Sequence, residues 1–191
     1  MKKIGFVLVA GAAMLLSFKA LDSTTWSLDK AHAKLGFSIT HLMVSDVEGS
    51  FKSFDATITA TKEDFSDAVV EMSADVASVN TDNEKRDEHL KSADFFDAAK
   101  FPKLTFKSKS FKKEGAGYKI TGDLTLHGVT KPVELTATAR TGTNPMSKKT
   151  ITGFKVTGKI KSTDFGIGAS MPAAMLSEEV TLDANAEFAK N

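Results

Sequence analysis

The sequence predicts an all-β fold, an antiparallel β-barrel of about eight strands with one short helical insert. From Trp26 almost to the C-terminus, apolar residues alternate with polar or small ones, which is the period of a strand with one buried face. Turn residues such as Asn144-Pro145 separate most of the alternating segments. Only residues 81–99 lose the alternation and carry helix formers instead. Evenly spaced strands with a single insert are typical of one barrel rather than of two domains.

Each strand is predicted where apolar residues recur at every second position. These segments are residues 34–40, 47–51, 54–60, 68–76, 104–108, 118–126, 133–139, 154–160 and 180–188. Between Phe51 and Phe54 the apolar phase slips by one residue. Such a slip would turn all later side chains to the wrong face unless the chain deforms locally. We therefore predict a β-bulge or a sharp bend near Lys52 and Ser53.

The helical insert is predicted to begin at a capping residue and to end near Leu90. Either Thr81 or Asp82 is expected to cap the helix, and Glu84 follows Thr81 at the spacing of a capping box. A second short turn is expected around residues 95–96. Because the insert interrupts the strand connections, we expect it to plug one end of the barrel.

Residues 1–20 are predicted to be a secretory signal peptide. Lys2 and Lys3 precede an uncharged apolar run from residue 4 to residue 16, which is shorter than the roughly 20 residues of a membrane span and suits an export signal. The mature protein is then one domain of residues 23–191, periplasmic or secreted. An uncleaved N-terminal anchor is the alternative.

The amino-acid composition argues against several functional classes. Phe occurs 14 times against one Tyr and one Trp, so the interior is expected to be dry, because Phe carries no polar atom that needs a partner. The chain has no Cys, which excludes disulfides, Cys-zinc sites and thiol catalysis. A net charge of +1 argues against nucleic acid as a partner, since phosphate binding requires a strongly positive surface.

No catalytic or metal-binding pattern is present in the sequence. The four histidines, His32, His41, His89 and His127, fall on different elements at unrelated spacings, although distant strands could still assemble a metal site. No Gly-x-Ser-x-Gly elbow and no phosphate-binding loop occurs. We therefore predict a protein that is not an enzyme, with no catalytic residue, no metal and no cofactor.

A polar group in the insert has two interpretations. Thr81, Asn83, Arg86 and Asp87 lie close together in sequence near one predicted end of the barrel. They could surround the mouth of a cavity and meet the polar head group of a ligand. Alternatively, they cap the helix and form surface pairs that contribute little stability. The structural interpretation is favoured.

Several short motifs follow one another in a fixed order. They are Trp26-Ser-Leu-Asp29, Ala33-Lys-Leu-Gly-Phe-Ser-Ile-Thr-His-Leu42, Val47-Glu-Gly-Ser-Phe51, Ala77-Ser-Val-Asn-Thr81, Arg86-Asp-Glu-His-Leu90, Ser92-Ala-Asp-Phe-Phe-Asp97, Phe101-Pro-Lys-Leu-Thr-Phe-Lys-Ser108, Gly122-Asp-Leu-Thr-Leu-His-Gly-Val-Thr-Lys-Pro-Val133 and Asp164-Phe-Gly166. Together they resemble the YceI-like proteins, the polyisoprenoid-binding family. No single motif is specific, but the ordered set is, and it reaches from about residue 25 to the C-terminus.

This resemblance implies an extended, lipocalin-like antiparallel barrel whose pore encloses a long isoprenoid chain, as in a polyprenyl quinone or its precursor. The alternation supplies the candidate pore-lining residues. They are Phe37, Ile39, Phe51, Phe54, Val70, Met72, Phe106, Leu124, Leu126 and Phe154. His41 and His89 fall within matched motifs and join the candidate polar rim of Thr81, Asn83, Arg86 and Asp87. In a filled barrel the same apolar residues would be ordinary core.

Three functional hypotheses follow. The first is an exported carrier of an isoprenoid lipid, for which a quinone-linked membrane protein is a further candidate partner. The second is a barrel isomerase or cyclase with His41 or Asp164 facing an apolar substrate. The third is an interaction module that uses its outer loops, and a barrel packed solid with side chains would favour it.

Overall fold

The computed structural model describes residues 22–191, which form ten β-strands and one α-helix. The predicted signal peptide, residues 1–20, lies outside the described residues. The elements are β1 (Thr24–His41), β2 (Ser45–Phe51), β3 (Phe54–Ala60), β4 (Val69–Asp75), β5 (Val79–Asn80), α1 (Glu84–Lys91), β6 (Lys103–Glu114), β7 (Gly117–Leu126), β8 (Val129–Thr143), β9 (Thr150–Lys161) and β10 (Leu176–Lys190). Short 3₁₀ helices occupy Val76–Ser78 and Ser162–Phe165.

The strands close into an antiparallel barrel with simple up-and-down connections. β2 and β3 lie end to end beside β1, and β5 and β4 lie end to end beside them. From β4 the sheet continues through β6, β7, β8, β9 and β10, which pairs back onto β1. The barrel therefore has eight strand positions, and the predicted fold class is confirmed.

The predicted bend at Lys52 and Ser53 is present between β2 and β3. It is fixed by β4, because the backbone N–H of Asp75 donates to the carbonyl of Ser53 at 2.8 Å. The Ser53 hydroxyl in turn donates to the Asp75 carboxylate at 2.6 Å. Phe51 and Phe54 consequently both face the interior, as the phase slip required.

Further irregularities of the strands were not predicted. β6 carries a bulge between Ser108 and Ser110, which brings Phe111 onto the inner face. β1 carries a wider one between Asp29 and Ala33 in its pairing with β10. Both increase local twist and help the sheet to close on itself.

Aromatic side chains close one end of the barrel, which we call the floor. Phe65, from the loop between β3 and β4, is 2% exposed and folds into the interior. Its ring centroid lies 5.0 Å from that of Trp26 and 5.2 Å from that of Phe154. Phe154 also meets Phe188 edge-on at 6.0 Å. This end is therefore conventional packed core.

The insert lies at the opposite end, and its capping residue differs from the prediction. Asn83, not Thr81 or Asp82, is the N-cap, since its side chain accepts a hydrogen bond from the Arg86 N–H at 3.1 Å. The helix begins only at Glu84, so Thr81 lies too early to cap it. Among residues 22–191, no helix has the length and apolarity that crossing a membrane requires.

Candidate functional site

The barrel encloses a cavity of about 450 Å³ above the floor. Its volume falls within the range of ligand pockets, roughly 300–1,000 Å³. The cavity reaches the end of the barrel that holds the insert, where exposed residues His41, His89 and Met175 line it. We call this end the mouth. The barrel is therefore neither filled like a core nor open at both ends.

All ten residues predicted to line a pore lie on the cavity wall: Phe37, Ile39, Phe51, Phe54, Val70, Met72, Phe106, Leu124, Leu126 and Phe154. They come from β1, β2, β3, β4, β6, β7 and β9. The two-residue period places them correctly because each strand keeps one face inward. That they contact a ligand stays a prediction.

The burial of these residues distinguishes a lined cavity from a filled one. Leu124 is 5% exposed and packs into the surrounding core. Phe37, Val70 and Met72 also point inward but are only half-buried. Inward side chains of a filled barrel would be fully buried, so these residues border a cavity. These half-buried side chains are therefore accessible to an apolar ligand inside the barrel.

Some cavity residues were missed by the sequence analysis. Leu35, Val156, Leu182 and Ala184 obey the same alternation and were within reach of the same rule. Others come from segments without periodicity, and only the tertiary fold brings them to the cavity. These are Leu90, Phe95 and Phe96 of the insert and Ile167, Met171 and Met175 of the loop before β10.

Four of the six residues predicted for the polar rim lie at the mouth. His41, Thr81, Arg86 and His89 line the mouth, but Asn83 and Asp87 do not. Asn83 is occupied in capping α1. Asp87 is 7% exposed and turned into the protein, because its carboxylate accepts hydrogen bonds from the Thr81 N–H at 2.8 Å and from the Thr81 hydroxyl at 2.6 Å.

This arrangement holds Arg86 at the mouth. The Arg86 Nε donates to the Thr81 hydroxyl oxygen, and its Nη2 donates to the Thr81 carbonyl, both at 2.7 Å. Thr81 is in turn fixed by Asp87. A guanidinium has five N–H donors, so Arg86 keeps donors for a ligand after making these two bonds. The mouth can therefore present an oriented positive donor above an apolar tube.

The two residues considered for an enzymatic alternative lie in different places. His41 lines the mouth, whereas Asp164 is exposed and lies away from the cavity. Within residues 22–191, the titratable side chains on the cavity wall are His41, Arg86, His89 and Asp183. The interior between mouth and floor is lined almost entirely by carbon.

A separate polar cluster lies at the wide bulge of β1. Candidate ligand atoms of Asp29, His32 and Glu187 lie within 4.8 Å of one another. His32 and Asp29 are already hydrogen-bonded at 2.9 Å, which lowers the pKa of the Asp29 carboxyl and raises the pKa of His32. None of the three lines the cavity, so the cluster is not part of the candidate site.

Comparison with known protein families identifies the family of this barrel. The family model of the YceI-like domain matches residues 26–188, nearly the whole described barrel. The chain belongs to the YceI-like family.

Relatives share both sequence and fold with this YceI-like chain. It is 42% identical to Protein YceI of Salmonella newport (strain SL254) in an alignment of 187 residues that covers 95% of each chain. A YCEI protein of Campylobacter jejuni has a solved structure that superposes with a TM-score of 0.70 at 35% identity, covering 85% of this chain and 96% of that one.

A more distant structure shows the same fold. It is a polyisoprenoid binding domain from Saccharophagus degradans implicated in plant cell wall breakdown, with a TM-score of 0.63 and 18% identity. The match covers 87% of this chain and 98% of that domain. The barrel architecture is therefore retained where few residues are shared.

Proposed function

We propose that this protein is an exported carrier that binds a long isoprenoid lipid, a polyprenyl quinone or its precursor, inside the barrel. The observation that carries the proposal is the carbon-lined cavity of about 450 Å³ inside the barrel. It is supported by the shared fold of the polyisoprenoid binding domain. An isoprenoid tail has no hydrogen-bonding group, and it gains about 0.8 kcal/mol per buried CH₂ group, less the cost of ordering the chain.

The orientation of the ligand follows from the two ends of the cavity. The floor is closed by Trp26, Phe65 and Phe154, so the end of the tail lies there. The polar head group then lies at the mouth, within reach of Arg86 and His89. A quinone carbonyl or a precursor phenol offers acceptor oxygens that suit these donors.

Export is part of the same proposal. Long isoprenoids are insoluble in water, so a carrier is useful in an aqueous compartment next to a membrane, such as the periplasm. The match to the Salmonella relative covers 95% of the chain, a larger share than residues 22–191 alone supply. That relative therefore shares part of the segment predicted to be a signal peptide. A quinone-linked membrane protein is the proposed donor or acceptor of the lipid.

Native mass spectrometry of the protein purified from a membrane-containing host tests the ligand. We expect a bound mass that an organic extract identifies as an isoprenoid, chemically unchanged after prolonged incubation with the protein. Ligand-free protein and an extract without isoprenoid would refute the proposal. Recovery of a cyclised or isomerised product would favour the enzymatic alternative.

A cavity-filling variant and a matched surface variant test whether the lipid lies inside the barrel. Ala184 is half-buried on the cavity wall, and Asn185 is its exposed neighbour on β10. We expect Ala184→Phe to reduce bound lipid at least tenfold because the ring occupies space that the tail requires. Asn185→Phe adds the same ring to the outer surface and should leave binding unchanged. Equal binding by the two variants would place the lipid outside the barrel.

A further inference from the structure

The mouth carries an exposed apolar tip on the loop between β1 and β2. Leu42, Met43 and Val44 are 51%, 69% and 85% exposed, and Met175 beside them is 44% exposed. The two segments are joined, because the Leu42 N–H donates to the Met175 carbonyl at 3.0 Å. In residues 22–191, the other exposed large apolar side chains are Val69 and Met146, both at the floor end.

The backbone conformation of the tip is energetically unfavourable for the residues that adopt it. Val44 N–H donates to the His41 carbonyl at 3.1 Å and closes the turn. The two central residues, Leu42 and Met43, have φ values of 52° and 56°. This left-handed conformation is strained for large residues and natural for Asn-Gly, the usual pair in such turns. The turn therefore presents large apolar side chains where small or polar ones would fold more easily.

The adjoining loop extends this surface without charge. Residues 165–177 lead into β10 and contain no charged residue, and Pro172, Ala173 and Ala174 within them are exposed. On the insert side of the mouth, α1 consists mostly of charged residues, Glu84 to Lys91. The mouth thus has one apolar, uncharged side and one charged side.

We propose that the apolar tip, Leu42–Val44 with Met175, docks on the surface of a lipid bilayer and inserts its side chains among the head groups. The choice of a bilayer rests partly on the proposed function, since an isoprenoid ligand resides in membranes. The tip is continuous with the cavity, because His41 and Met175 line the mouth. Four side chains make a surface much smaller than the roughly 800 Å² per partner of a stable protein interface. They suit shallow, reversible insertion, so lipid can pass from bilayer to barrel without crossing water.

A fluorophore placed at the tip tests the contact directly in the full chain. The protein has no Cys, so Met43→Cys and the control Met146→Cys each provide one labelling site for an environment-sensitive dye. With neutral phosphatidylcholine vesicles, we expect a blue shift and quenching by lipid-borne quenchers at position 43 only. Both variants contain residues 1–21, so equal signals at positions 43 and 146 would overturn the proposal, as would no signal at position 43.

A second variant separates loss of docking from loss of folding. Leu42→Asn with Met43→Gly suits the left-handed turn while removing two apolar side chains. We expect vesicle partitioning to fall by about tenfold or more, the effect of withdrawing an aliphatic side chain from an apolar phase, with no decrease in melting temperature. Met146→Ser should partition like the parent chain. Unchanged partitioning of the double variant would contradict docking through the tip.

Two readouts distinguish this proposal from the proposed function and from self-association. If the parent chain carries no isoprenoid but its tip still responds to vesicles, docking stands and the carrier function fails. If lipid is bound but the tip gives no response, docking fails alone. A signal at position 43 that rises with protein concentration and does not require vesicles would mean that the tip packs on a second copy. That result would also overturn the proposal.

Discussion

Glycines at inward positions allow bulky side chains to lie across the interior. A Cβ atom built on Gly49 would lie 2.3 Å from the ring of Phe37, and one built on Gly122 would lie 2.6 Å from the ring of Phe106. The two positions differ in what surrounds them. Phe37 borders the cavity and has room to move, whereas at Gly122 the backbone carbonyl of Lys107 is also only 2.5 Å away.

Gly122→Ala is expected to destabilise the barrel by about 1–3 kcal/mol, the usual cost of overpacking. The reason is that the backbone of β6 must shift, since a rotamer change of Phe106 does not relieve the clash with Lys107. Thermal or urea unfolding measures the change. Gly153→Ala is the control, because a Cβ at Gly153 meets nothing within 4 Å, and a similar loss there would contradict the steric explanation.

At the scale of elements, one link between the insert and the barrel is a buried carboxylate. Asp87 accepts both the N–H and the hydroxyl hydrogen of Thr81, and Thr81 directly follows β5. Thr81 also accepts from Arg86. The position of the Arg86 guanidinium at the mouth therefore depends on a residue that does not itself line the cavity.

Asp87→Ala should cost about 1–3 kcal/mol, because it leaves a buried N–H without an acceptor. We also expect faster hydrogen exchange in α1, since the helix loses its attachment to β5. Glu88→Ala is the control, as the Glu88 side chain is 70% exposed and a surface change of this kind stays within about 0.5 kcal/mol. Unaltered exchange in the Asp87 variant would show that other contacts position the insert.

The bend between β2 and β3 depends on a second carboxylate, Asp75. Hydrogen bonds from Lys103 first, and from Ser53 second, lower the pKa of Asp75 below its ordinary value of 3.8. The folded state therefore binds this proton less readily than the unfolded state does. The resulting stability is complete above about pH 4 and is lost as the pH falls through the folded pKa.

Asp75→Asn should accordingly lower the melting temperature at neutral pH, and the difference from the parent should narrow below about pH 4. Melting curves collected across that range measure it. Ser53→Ala removes the hydrogen bond that contributes less to lowering the pKa of Asp75, so its effect should be smaller and in the same direction. A constant difference at every pH would exclude the carboxylate charge as the cause.

At the scale of the whole molecule, closure joins the two ends of the described chain. Trp26 pairs with Lys190, and β10 follows β1 as far as the pairing of His41 with Leu176. Because β1 is also paired with β2 and β3, the first and last long strands of the described chain are both held inside the sheet. Such pairing between distant segments slows folding and favours an all-or-none transition.

Unfolding is therefore expected to occur in one step. Trp26 is the only Trp of the chain and reports on the floor, while far-ultraviolet circular dichroism reports on the sheet as a whole. The two signals should give the same urea midpoint and the same dependence on denaturant. Separate midpoints would mean that the floor and the remaining sheet unfold independently.

The local alternation of apolar residues was sufficient to predict the strands and the direction of their side chains. Alternation is a property of neighbouring residues, so it identified the inward positions of Phe37, Met72 and Leu124 without knowledge of their partners. The phase slip after Phe51 likewise required the bend at Lys52 and Ser53. The family followed from the ordered motifs, because each marks a fixed position in one fold.

What occupies the interior was decided only by tertiary structure. Direction along a strand does not tell how much space remains when the barrel closes, since that volume depends on strand number, stagger and the loops that fold inward. Phe65 fills the floor, whereas Phe95 and Phe96 come to the cavity from an insert without alternation. The meeting of Leu42 with Met175 also joins segments far apart in sequence. Asp87 turns away from the mouth toward Thr81, only six residues earlier, but the residue pattern does not specify that contact. Local periodicity therefore determined the wall of the barrel, and long-range contacts determined its cavity, its mouth and its apolar tip.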